Sequence, residues 1–344
     1  MSMDHNPYPQ PPYPLHPSIT SRLNPQYAAF YEKYLLNAQQ VHYQPIAASR
    51  TGGKIIPGGS DPLPVGKTQD VSIQRKETEG PDVRVRCFTP FGEPPETGWA
   101  VMLYAHGGGW VLGNIDTENS ACTNMCIRAQ CVVITVDYRL APENPYPAAV
   151  HDTWEALLWT LSSGRQLLNL DLNRYAVGGS SAGANLAAVM TQKLVLRPDL
   201  NSKLNIRLQL LTVPVTDNTA TVDTNPTWKD CEFTPALSAA KMLWYRNHYL
   251  PDASSWADPE ASPLLFEGQW AELPPAVVLV GELDVLRWEG EEYARKLRKS
   301  GVPADVSVMK GMPHPFMAMD AVMDEGRRAI NIMCGSLGKA LHSD

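Results

Sequence analysis

One stretch of this chain could attack a carbonyl carbon. Gly179-Ser180-Ser181-Ala182-Gly183 fits the pattern G-x-S-x-G. It follows the apolar run at 175–177 and precedes a helical pattern at 184–194, the strand–turn–helix setting of a nucleophile elbow. Register selects the serine. Centring the pattern on Ser180 would put Ala182 where the second glycine is needed, so Ser181 is the candidate nucleophile. A second stretch could stabilise an oxyanion. His106-Gly107-Gly108-Gly109-Trp110 ends another apolar run, and consecutive glycines let backbone N–H groups approach a ligand. Gly108 and Gly109 are the expected donors. Ala182 joins them, because its N–H opens the helix behind Ser181. A glycine-rich phosphate site is the rival, but neither a P-loop lysine nor a G-x-G-x-x-G accompanies these glycines.

A serine nucleophile needs a base. Of eight histidines, His5 and His16 fall in a proline-rich stretch and His342 lies far along the chain. His42 and His248 fall in helical patterns read as parts of a cap. His151 opens a flanking helix, and His106 reads as a support for its own glycine loop. His314, directly after the final apolar run, remains. The orienting acid is expected between serine and histidine in chain order. Asp284 is preferred, then Glu282, then Asp217.

The elements that must hold these groups follow from periodicity. Strand-like stretches at 70–76 and 82–88 precede a rhythm of apolar runs at 100–105, 131–136, 174–177, 208–213, 276–280 and 305–309. Helical patterns separate them, as at 151–162 and 290–300. Runs apolar on both faces suit parallel strands covered by helices on both sides. The expected fold class is therefore α/β, with a mostly parallel central sheet. About 60 residues lie between 213 and 276, too many for a simple crossover. They carry Trp228, Phe233, Trp244, Tyr245, Tyr249 and Trp256 and read as a cap over the site. The expected division is a flexible proline-rich tail at 1–23, an N-terminal cap segment at 24–66, a core at 67–214 and 262–344, and a cap insertion at 215–261. Trp110 and Phe316 are expected to line the substrate pocket.

Composition narrows the partners. A net charge of −7 over 344 residues argues against nucleic acid, which needs cations to displace counterions. No apolar run reaches the length of a membrane span. The start lacks a signal-peptide pattern. Six cysteines without a CxxC pair suit reduced, buried thiols rather than a metal site. A cytoplasmic enzyme without metal or organic cofactor, acting on a small-molecule ester, is the expectation.

These motifs, over residues 95–330, resemble the hormone-sensitive-lipase-like esterases of the α/β-hydrolases. The resemblance rests on the HGGGW run at 106–110, DYRLAPE at 137–143, YPAA at 146–149, GSSAG at 179–183, SPL at 262–264, LPP at 273–275, the stretch 281–286 and HPF at 314–316. It is also similar to fungal secondary-metabolism esterases. It implies the α/β-hydrolase fold, a two-part helical cap, carboxylesterase activity on short to medium, acetyl-type acyl chains, and a monomer or homodimer. Acyl transfer and amide cleavage by the same triad are alternatives. Receptor members of the family lack the histidine and dehydratase members can replace the serine, whereas this chain keeps both, as Ser181 and His314. Two positions depart from the family: Ser180 stands where Asp or Thr is usual, and Asn144 where His is common.

Overall fold

The computed structural model describes residues 7–51 and 57–343. Eight strands form one sheet: β1 (Lys67–Ile73), β2 (Val83–Thr89), β3 (Trp99–Ala105), β4 (Cys131–Asp137), β5 (Leu170–Ser180), β6 (Ile206–Thr212), β7 (Ala276–Gly281) and β8 (Ala304–Met309). Their order is β1-β2-β4-β3-β5-β6-β7-β8. β2 runs antiparallel to both β1 and β4, and β3 through β8 are parallel. β3 is buried at every residue, as a strand covered on both faces must be. Helices Ala148–Thr160, Ala182–Val195 and Arg287–Lys299 pack in one core cluster, and Asn119–Arg128 and Asp324–His342 in the other.

Each expected strand is present. The first lies three residues earlier than its pattern suggests. Past Ile73 the chain turns away to satisfy buried acids: Arg75 pairs with Asp152, and Lys76 N–H donates to Glu155. All six cysteines are buried and free. Among the described residues, no helix is long and apolar enough to cross a membrane.

The proline-rich stretch departs from the expected flexible tail. Residues 1–6 lie outside the described residues. From Tyr13 onward the chain is laid down on the protein: Tyr13 N–H donates to Leu36 O at 2.8 Å, Ile19 is fully buried, and Arg22 pairs with Asp230. Asn24 N–H then donates to Gly311 O at 2.8 Å. The prolines themselves stay largely exposed and remove donors, so aromatic and aliphatic side chains between them fix the segment.

The insertion between β6 and β7 carries the helix Ala239–Tyr249. One side chain ties both of its ends to the helix behind Ser181, since Asn185 Nδ2 donates to Val215 O and to Ala261 O. Arg246, 2% exposed, donates to Asn218 O and Ala220 O and lies 4.2 Å from the Trp256 ring centroid. A desolvated guanidinium on an indole face is worth about 2 kcal/mol, so this helix is held firmly.

Candidate active site

β3 through β8 are parallel, so the segments that follow them emerge at one edge of the sheet, where ligands bind in open α/β folds. The serine, the acid and the histidine expected from the sequence all sit there, after β5, β7 and β8.

Ser181 occupies a strained turn, with φ 53° and ψ −116°. Such backbone costs about 1–3 kcal/mol and is held by its surroundings. Here Ser181 N–H donates to Thr212 O at 2.8 Å. The two glycines of the motif are needed for close approach: a Cβ on Gly183 would overlap Ala105 O, and one on Gly179 would meet Gly183 and Ala105. The turn can thus form only where strand, turn and helix backbones touch.

His314 Nδ1 and Asp284 Oδ2 stand 2.8 Å apart. The other Asp284 oxygen accepts Leu286 N–H at 3.0 Å. Asp284 is sealed at 0% exposure, whereas Ser181 and His314 keep 7% and 6%. The acid is therefore dry, while Ser181 and His314 keep some contact with solvent. No hydrogen bond joins Ser181 Oγ to the imidazole; such bonds often tighten only when substrate is bound. Glu282 turns elsewhere, to Gly311 N–H and Lys310, and Asp217 caps Thr219.

The glycine loop is braced from below by the DYRLAPE segment. Tyr138 OH donates to His106 O, Asp137 accepts Ile115 N–H, and Ala141 N–H donates to Trp110 O. His106 lies beneath the loop, stacked on Tyr138, and burial lowers its pKa so that it stays neutral. Gly107 N–H donates to Glu118 Oε1 at 3.1 Å. The N–H groups of Gly108 and Gly109 carry no such partner among the described residues, and neither does Ala182 N–H at the start of its helix.

Glu118 explains Ser180. Ser180 Oγ donates to Glu118 Oε1 at 2.5 Å, and Tyr104 OH donates to Oε2 at 2.7 Å. One carboxylate therefore couples the elbow, the glycine loop and β3. The acid absent from position 180 is supplied from position 118, which the sequence reading missed by seeking acids only between serine and histidine. Glu118→Gln turns one acceptor into a donor that faces donors. It is expected to lower kcat for a p-nitrophenyl ester about 10²-fold, the cost of roughly 1 Å of misplacement, with KM changed far less. Steady-state kinetics within twofold of wild type would show that this network does not set the geometry.

Two pocket assignments are corrected. Trp110 and Phe316 are both fully buried. Trp110 stacks on Tyr249 with ring centroids 4.2 Å apart, and Phe316 belongs to the core cluster containing Met312 and Met317. Neither offers surface to a ligand. The side chain over the glycines is Tyr245, against which any Cβ on Gly109 would collide.

Comparisons with known proteins agree with this architecture. Residues 102–318 match the family described as alpha/beta hydrolase fold. An AB hydrolase superfamily protein of Schizosaccharomyces pombe is 47% identical over 91% of this chain and 93% of its own length. An ethyl acetate hydrolase of Pseudomonas putida is 30% identical over 93% and 99%. A thermophilic carboxylesterase from a metagenomic library superposes with a TM-score of 0.73 at 35% identity, covering 81% of this chain and 91% of that one. With its elbow, glycine loop and parallel sheet, the chain belongs to the alpha/beta-hydrolase fold family, as a carboxylesterase of its hormone-sensitive-lipase-like branch.

Proposed function

We propose that this enzyme hydrolyses short-chain carboxylic esters of a small organic molecule through an acyl intermediate on Ser181. His314 takes the Ser181 proton on Nε2 as Oγ bonds to the acyl carbon, and returns it to the departing alkoxide. Asp284 holds the imidazole by Nδ1 and stabilises its charged form. The N–H groups of Gly108, Gly109 and Ala182 receive the oxyanion. Water, activated by the same imidazole, then releases the acid. Segments 24–66 and 215–261, as far as they are described, form the cap. The observation that carries the reading is the 2.8 Å Asp284–His314 pair beside the strained Ser181 turn. The acetyl-type preference is supported by Tyr245 lying directly on Gly109, which leaves little room beside the carbonyl.

A series of p-nitrophenyl esters from acetate to laurate, with one anilide, tests the proposal together with a fluorophosphonate probe. Turnover is expected to peak at acetate or butyrate, to be far lower on the anilide, and to end when the probe labels the peptide holding Ser181. Rates rising through laurate would overturn the chain-length reading. Turnover that survives the probe would overturn the mechanism.

A further inference from the structure

The helix Ala239–Tyr249 presents Tyr245 to Gly109, and one turn earlier it presents Lys241. Residues four apart on a helix share a face, with Cβ atoms about 5–6 Å apart. Lys241 Nζ donates to a single protein acceptor, Ala236 O at 2.6 Å. No carboxylate pairs with it among the described residues. It keeps part of its surface accessible. Enclosure lowers its pKa to about 8, which leaves the ammonium mostly charged at neutral pH. An ammonium has three donors, so two are uncommitted to protein.

A second group points the same way. His42 is 8% exposed, and its Nδ1 has no partner. It stands close enough to Lys241 for that charge, after burial, to help hold its pKa down to about 3. His42 belongs to the segment that leads into Arg50, which donates to Val111 O and Ala141 O beside the glycine loop. The helix face that carries Tyr245 thus also carries an ammonium that no carboxylate meets among the described residues, and His42 Nδ1 is a buried polar atom without a protein partner. Buried polar groups are normally satisfied, so a carboxylate meeting Lys241 would complete what the protein leaves open.

Resting on the esterase reading, we infer that the substrate carries an ionised carboxylate, about one helical turn from the scissile carbonyl, and that Lys241 receives it. Either the acyl arm or the alcohol arm could bear this group. Monoethyl glutarate places it on the acyl arm and 4-acetoxybutyrate on the alcohol arm. Each has a neutral isostere in which the carboxylate is an amide.

The test is hydrolysis of these four esters in a pH-stat at pH 7, with p-nitrophenyl acetate as reference. Wild-type enzyme is expected to prefer at least one carboxylate over its amide by about tenfold or more in kcat/KM, as one charge-assisted hydrogen bond gives. Lys241→Gln keeps a donor for Ala236 O and removes the charge, so the preference should collapse towards unity through KM. Equal rates on carboxylate and amide, or a preference that survives Lys241→Gln, would overturn the inference while p-nitrophenyl acetate turnover leaves the esterase reading intact. Loss of turnover on p-nitrophenyl acetate as well would sink both.

Discussion

Ser181→Ala is expected to lower kcat for p-nitrophenyl acetate by about 10⁶-fold, the usual result of removing a serine nucleophile whose partners act with it as one unit. The protein should fold, because alanine demands nothing that serine does not already accept at φ 53° and the backbone bond to Thr212 O is retained. Residual turnover over water would come from the oxyanion donors and binding alone. The measurement is single-turnover and steady-state kinetics on variant protein with an unchanged melting temperature. Retention of more than about one part in a hundred of wild-type activity, a far smaller loss than triad removal gives, would take the nucleophile away from position 181. Ser180 is the neighbouring alternative, but its hydroxyl is committed to Glu118. Ser180→Ala should therefore act through geometry, like Glu118→Gln, and fall well short of the Ser181 effect.

Asp284→Asn should cost about 10⁴-fold in kcat with KM nearly unchanged, because the amide can no longer hold the tautomer in which Nε2 is free to take a proton. The substitution is close to isosteric. An asparagine oxygen can still accept Leu286 N–H, so the loss should not come from unfolding. The size of the effect follows from dryness: Asp284 has no exposed surface, and water cannot replace its charge beside the imidazolium. A fall of less than about tenfold, far short of that loss, or one matched by Glu282→Gln, would hand the orienting role to another acid. Glu282 is half-exposed and occupied with Gly311 and Lys310, which favours a small effect there.

Much of this was legible in the residues. Apolar runs that bury both faces admit few elements other than covered strands, which located the inner strands, and the shorter strand-like stretches before them marked β1 and β2. The strained turn at Ser181 was legible because its glycines are forced by backbone contact, and His314, which the structure pairs with Asp284, because every other histidine had a reason to be elsewhere. The parts that escaped depend on tertiary contact. Glu118 acts through a loop and a helix start that no local period marks. Trp110 and Phe316 are large and flank the motifs, yet burial against Tyr249 and the methionine-rich core removes them from the recess. Lys241 lies in an ordinary helical pattern, and its pairing with Ala236 O and the nearness of His42, from a separate segment, show only in the folded chain. Even the first strand was misread by three residues because Asp152 and Glu155, far along the chain, draw Arg75 and Lys76 out of it.

The bond from Asn24 N–H to Gly311 O joins the loop that carries His314 to a segment translated long before it. Gly311 is held from the other side by Glu282, and its φ of +65° fits only a glycine pressed against Asn24. A chain still emerging from the ribosome at residue 300 would already carry Ser181, the proposed nucleophile, but not His314, the proposed base, or the clasp on its loop. Contacts of such high sequence separation are slow to form, because the loop they close must first surrender its entropy. On the proposed mechanism, catalytic competence is acquired late in biosynthesis, and a growing chain with its apolar core partly uncovered would not yet cleave esters around it.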